Sequence, residues 1–153
     1  MRRAAGGPPG VYMKVTRWNI GETIREILPI TVDREGEEGF AIITNKRQIL
    51  LLIDNSQQCC ENWGYFLTED DLNRFIGATL LDIVITDTCR NTKALYKHLR
   101  SGVQSLDCGD ILFVDIVTER GILQFVAYNE HNGYYGHRAR IAIDENTVFK
   151  KYL

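Results

Sequence analysis

Short apolar runs separated by polar breaks recur along the chain more often than helical periodicity does. Alternating apolar positions over residues 26–32, 40–44 and 49–53 predict three strands. The intervening DREGEEG and NKR segments carry the glycine and charged residues of tight turns and read as hairpin loops. ATLLDIVITDT predicts a further strand, and DILFVDIVTERGILQFVAYN predicts a hairpin in which Gly121 supplies a positive φ. NEHNGYYGHRARIAI predicts a second hairpin, because Asn132-Gly133 is the strongest local signal for a two-residue turn. Three segments carry helix signals instead. DNSQQCCENWGYF reads as a short helix capped by Asp54 or Ser56. TEDDLNRFIG has Thr68 at the N-cap, acidic residues in its first turn and Gly77 past its end. NTKALYKHLRSG reads as a helix or an insertion, closed by Gly102. The expected class is α+β: a mostly antiparallel β-sheet with two or three short helices.

With 153 residues and 44% hydrophobic content, the chain is long enough to bury one sizeable core without staples. Residues 13–153 are expected to form a single α+β domain. The Gly/Pro-rich residues 1–12 are expected to be a disordered extension or an artificial leader. Net charge is -2, and neither half is strongly biased: residues 1–76 carry nine Lys/Arg against eleven Asp/Glu, and residues 77–153 nine against nine. A long nucleic-acid partner calls for a basic stripe, which the sequence lacks. A small phosphate-bearing ligand needs only two or three arginines. No apolar run reaches the roughly 18–20 residues that span a bilayer, so no membrane partner is expected. The four cysteines, Cys59, Cys60, Cys89 and Cys108, show no disulfide-framework spacing and read as reduced thiols of a cytoplasmic protein.

The most distinctive stretch is YNEHNGYYGHR, residues 128–138, which gathers three Tyr, two Asn, two His and an Arg around Gly133. Side chains alternate faces along a strand. Tyr135, His137, Ala139, Ile141 and Ile143 then share a face that becomes apolar and should meet the core. Tyr134, Gly136, Arg138, Arg140 and Ala142 share the other. That second face offers an aromatic plane for stacking, a gap at Gly136 and guanidinium groups suited to phosphate. Asn129 and Asn132 add amides able to read hydroxyls or base edges. The plain alternative is a solvated strand face that binds nothing.

Other chemistry finds little support. Adjacent cysteines at 59 and 60 point in different directions, so they make a poor half of a tetrahedral zinc site even with His131 and His137 nearby. Asp110 and Asp115 lie an odd number of residues apart and face opposite sides of one strand, which rules against a carboxylate dyad. No phosphate-cradling Gly-rich loop is present. Trp63 and Tyr65 read as core aromatics. Neither a metal nor a cofactor is expected.

CCENWG at residues 59–64 and NEHNGYYGH at residues 129–137, with the opening IGETIREI, resemble a family of phage-encoded anti-Thoeris nucleotide sponges, the first type described. The resemblance covers about residues 13–143. It implies a protein that sequesters glycocyclic ADP-ribose signals made by bacterial TIR-domain proteins, holding them intact where subunits meet. It implies a homodimer or homohexamer in the host cell cytoplasm, with cyclic oligonucleotides as potential ligands of a second site. Asn129, His131, Asn132, Tyr134, Tyr135 and His137 fall within the matching segment. Arg138 and Arg120 are added on physical grounds. The competing expectations are an enzyme that degrades the signal, with His131 or His137 as acid or base, and an inhibitor that docks its aromatic loop on a host protein.

Overall fold

The computed structural model describes residues 12–14, 20–56, 62–99, 109–130 and 136–153. Ten strands run in chain order as β1 (Tyr12–Lys14), β2 (Glu22–Val32), β3 (Glu37–Thr44), β4 (Gln48–Asp54), β5 (Asn62–Leu67), β6 (Thr79–Thr86), β7 (Gly109–Thr118), β8 (Gly121–Glu130), β9 (Arg138–Ile143) and β10 (Asn146–Tyr152). Among the described residues one α-helix, α1 (Thr92–His98), lies between β6 and β7. Every strand pair is antiparallel. The order is β10-β9-β4-β3-β2-β6-β7-β8-β5, with β1 pairing β6 beside that path. Tyr12, assigned from sequence to the extension, is therefore the first residue of β1, and residues 1–11 lie outside the described residues.

The path folds into two layers at β2. Glu22 and Thr23 pair with Leu80 and Thr79 of β6, whereas Ile24 and the residues from Glu26 to Val32 pair with β3, with a register break between Ile24 and Glu26. A bulge of this kind bends a strand and lets it change partners. The inner faces then meet in one core. It draws Ile42 from β3, Leu51 and Ile53 from β4, Val114 and Ile116 from β7, Phe125 from β8, and Ile141 and Ile143 from β9. Period 2 sends the alternate residues of β7 and β8 outward, where Val126 and Tyr128 form a second cluster with Leu95 and Leu99 beside α1. The outer face of the β5–β8–β7–β6 layer is thus covered by the helix. Among the described residues no helix covers the outer face of the β2–β3–β4–β9–β10 layer.

The expected α+β class is corrected by this architecture: among the described residues 63% are strand and 9% helical, so the fold is mostly β. Two of the three expected helices are not found among the described residues. Residues 62–67 extend as β5, because Trp63, Tyr65 and Leu67 alternate onto the core. Gly64 leaves room for the Tyr128 ring, whose hydroxyl would stand 2.6 Å from a Cβ there. After β5, the Thr68 hydroxyl accepts from the Gln124 amide at 3.0 Å, which ties it to β8. Only a 3-10 turn forms in that segment, Asn73–Phe75, with Gly77 beyond it at φ +87°. The third helix is α1, capped by the Asn91 side chain, which accepts from the Ala94 amide. Gly102, its expected terminator, lies outside the described residues.

The expected hairpin across Asn132-Gly133 is also corrected. β8 pairs with β7 and β5, while β9 pairs with β4 and β10, so the flanking strands belong to different layers. The hairpin partner of β9 is β10, through a two-residue turn at Asp144 and Glu145 with φ of 50° and 66°. Gly121, by contrast, supplies the expected positive φ of the β7–β8 turn. No helix among the described residues is long and apolar enough to cross a membrane.

Candidate functional site

The two most distinctive sequence motifs meet at one end of the molecule. In the β5–β8 register Asn62 lies opposite Glu130 and Trp63 opposite Asn129, so the end of CCENWG and the start of NEHNGYYGH are neighbours. The Asn62 amide donates to Glu130 at 2.7 Å and to the His98 carbonyl at 3.0 Å, which adds the end of α1 to the junction. Trp63 then stacks on His137, with centroids 4.9 Å apart and planes 24° from parallel. A residue of β5 and the residue that precedes β9 are thereby joined across the layers.

Asn129 and His137, the described residues of the second motif that make side-chain ties here, are both fully buried. The His137 amide donates to the Leu153 carbonyl at 3.1 Å, and the Leu153 amide returns a bond of 2.9 Å. Asn129 Nδ2 donates to the same carbonyl at 3.2 Å. His137 Nδ1 lies 2.7 Å from the Asp54 carbonyl, so that nitrogen carries a proton and donates. Of the expected ligand contacts, Asn129 and His137 are thus drawn into the frame beneath the motif. His131, Asn132, Tyr134 and Tyr135 lie outside the described residues, as do Cys59, Cys60 and Cys108.

One residue on, alternation sends Arg138 to the opposite face, as read from the sequence. Ala139, Ile141 and Ile143 enter the core, and Arg138, Arg140 and Ala142 line a groove of about 950 Å³ on the uncovered layer. Ile30 and Val32 form one wall, Leu50 the floor, and Thr147, Val148 and Phe149 the other wall. Gly39 of β3 leaves no room for a side chain, since a Cβ there would overlap the Leu51 carbonyl. Beneath the guanidinium groups sits Glu37, 1% exposed. It accepts from Arg140 Nε at 2.8 Å and Nη2 at 2.8 Å, and Arg138 Nη2 forms an ion pair with it at 3.6 Å. The hydrogen bonds that Arg140 donates to Glu37 raise the pKa of its guanidinium, against the opposing effect of burial. Arg140 is thereby committed to the scaffold. Arg138, 37% exposed and loosely paired, keeps donors for a ligand.

Arg120 is not brought to this end. It occupies the β7–β8 turn, at the far end of β8 from Asn129, and donates to the carbonyls of Arg74, Ile76 and Gly77 at 3.1–3.4 Å. The expectation that it shares a ligand surface with Arg138 is corrected: it braces the Gly77 turn. Glu37 was missed by sequence reading, although its place on the outward face of β3 follows from the same alternation that puts Phe40 and Ile42 inside.

Asp115 is buried and bonded to Arg90 and Gln124, whereas Asp110 is half-buried and paired with Lys151, so the two face apart as expected. Among the described residues no group of His, Cys, Asp and Glu is placed to hold a metal ion. Cys89 is a free thiol whose pKa is pushed up by burial, which weakens it as a nucleophile.

Residues 18–141 match the model of a domain of unknown function, DUF7448, and the chain belongs to that family. No curated protein and no solved structure matches it.

Proposed function

We propose that this DUF7448 protein is a ligand-sequestering protein that binds a glycocyclic ADP-ribose signal and holds it without degrading it. Its role on this reading is to block a TIR-based anti-phage defence from within the host cytoplasm. The observation that carries the reading is the convergence of the two motifs on which the family resemblance rests. They are far apart in sequence, yet Trp63 is paired with Asn129 and stacked on His137. Binding residues tend to lie on loops that a rigid scaffold positions. Buried ties to Leu153 and Asp54 fix Asn129 and His137, the described residues of the second motif, and Arg138 follows them at the head of the groove. Sequestration requires a shaped polar surface and a phosphate-directed cation, not an activated nucleophile. Assembly as a homodimer or homohexamer, with the ligand where subunits meet, belongs to the same proposal.

Arg138 tests it. Charge-assisted contacts to phosphate are about twice as strong as neutral hydrogen bonds. Arg138→Ala should therefore weaken calorimetrically measured binding of glycocyclic ADP-ribose isomers by roughly 30- to 1,000-fold, equivalent to about 2–4 kcal/mol. Arg138→Lys should recover only part of the loss, because ammonium lacks the planar fork. Folding should persist, since Arg140 retains Glu37. Unchanged affinity in a folded Arg138→Ala protein would place the phosphates elsewhere.

A further inference from the structure

A second cleft, of about 580 Å³, runs along β5 between that edge strand and α1 and shares no lining residue with the groove. Its size falls within the roughly 300–1,000 Å³ of small-ligand sites. Phe40 and Tyr65 form an aromatic floor, meeting edge to face at 5.8 Å. The Tyr65 hydroxyl donates to Glu38 at 2.8 Å, which fixes its ring. On the opposite face of β5 Phe66 stacks on His98 at 4.3 Å, where the cleft meets the helix.

The charged walls are unequal. Lys93 and Lys97 stand one helical turn apart on the face of α1 that lines the cleft, with the small Ala94 leaving space beside them. Both lysines are exposed, and neither forms an ion pair among the described residues. On the facing loop, Glu69 is neutralised by Arg74 at 3.0 Å, which leaves Asp70 as the one uncompensated carboxylate in the lining. The cleft therefore combines an apolar aromatic floor with a net cationic wall.

We propose that this cleft binds a small planar aromatic anion, its ring against Phe40 and Tyr65 and its acidic group held between Lys93 and Lys97. Aromatic carboxylates and mononucleotides share that chemistry. The proposal does not rest on the cyclic ADP-ribose reading, because its residues are separate from Arg138 and from the junction at Asn129 and His137.

The test titrates the full chain with 8-anilinonaphthalene-1-sulfonate, followed by fluorescence, and then competes the probe with 2-naphthoate or adenosine monophosphate. Saturable binding is expected, with displacement by at least one competitor. Displacement by the nucleotide alone would assign a nucleotide, and by 2-naphthoate alone an aromatic acid. Lys93→Glu/Lys97→Glu, two exposed positions that leave the fold intact by circular dichroism, should weaken the probe at least tenfold, whereas Arg138→Ala should not change it. Equal probe affinity in the double variant, no saturable binding, or displacement by neither competitor would overturn the proposal.

Discussion

Glu37 shows how a single buried group sets the chemistry of a surface. A carboxylate with 1% exposure is costly unless hydrogen-bonded, and Arg140 satisfies it through paired donors. Glu37→Gln keeps the shape and removes the charge, leaving two guanidinium groups without their anion. Because both arginines keep some contact with water, the loss should be roughly 1–3 kcal/mol, short of a fully buried pair. Urea unfolding would measure it, and a change within error would show that the groove's arginines are held by other contacts. Tyr65 gives a pH-dependent counterpart. Burial and the bond to Glu38 push its pKa up to about 12 from an ordinary value of 10. A folded-state value above the unfolded one means stability that is complete below about pH 10 and lost as pH rises through 12. Tyr65→Phe, which has no proton to lose, should flatten the stability profile across that alkaline window relative to the parent. Parallel profiles for the two proteins would contradict the assignment.

At the scale of elements, the β9–β10 hairpin turns without glycine or asparagine. Asp144 and Glu145 both hold positive φ, a conformation that costs most L-residues roughly 1–2 kcal/mol. Asp144 repays part through its side chain, which accepts from the Gln48 amide at 3.1 Å, whereas no hydrogen bond of Glu145 offsets the strain among the described residues. Glu145→Gly should stabilise the protein by about 1 kcal/mol and raise its melting temperature by about 2–4 °C. A lowered melting temperature would mean that the Glu145 side chain contributes more than its backbone costs. This turn also marks what the sequence concealed. Asp144 is a common turn residue but Glu145 is not, and β10 is mostly exposed, so residues 146–152 show no apolar alternation to read. Strands β2, β3, β4, β6, β7 and β8 were legible because period 2 is imposed locally by one buried face. Asn132-Gly133 misled, since a local turn preference says nothing about which distant strand completes a ladder. The same limit hid the site: the inward and outward faces of β9 were readable, but the meeting of Trp63 with Asn129 and His137 depends on pairing across more than sixty residues. Arg120 was misplaced for the converse reason, being near Asn129 in sequence and a whole strand away in space.

The molecule as a whole divides its surfaces by layer. One outer face is closed by α1, and the other carries the groove that Arg138 and Arg140 line. The first face should depend on the helix: Leu95, 1% exposed, anchors α1 against Val126 and Tyr128, so Leu95→Ala should cost roughly 2–5 kcal/mol in urea unfolding. A loss well below 1 kcal/mol would show that the helix is only loosely docked. Sequestration is a property of the assembled protein and of what becomes of its ligand. The most direct measurement is to incubate the purified full chain with glycocyclic ADP-ribose, separate the complex from free ligand, denature it by heat and identify what is released by mass spectrometry. Sequestration predicts that the ligand disappears from the free fraction and returns from the denatured complex at its original mass and in stoichiometric amount. A ligand that stays free throughout, or that returns as a hydrolysed or rearranged product, would contradict it.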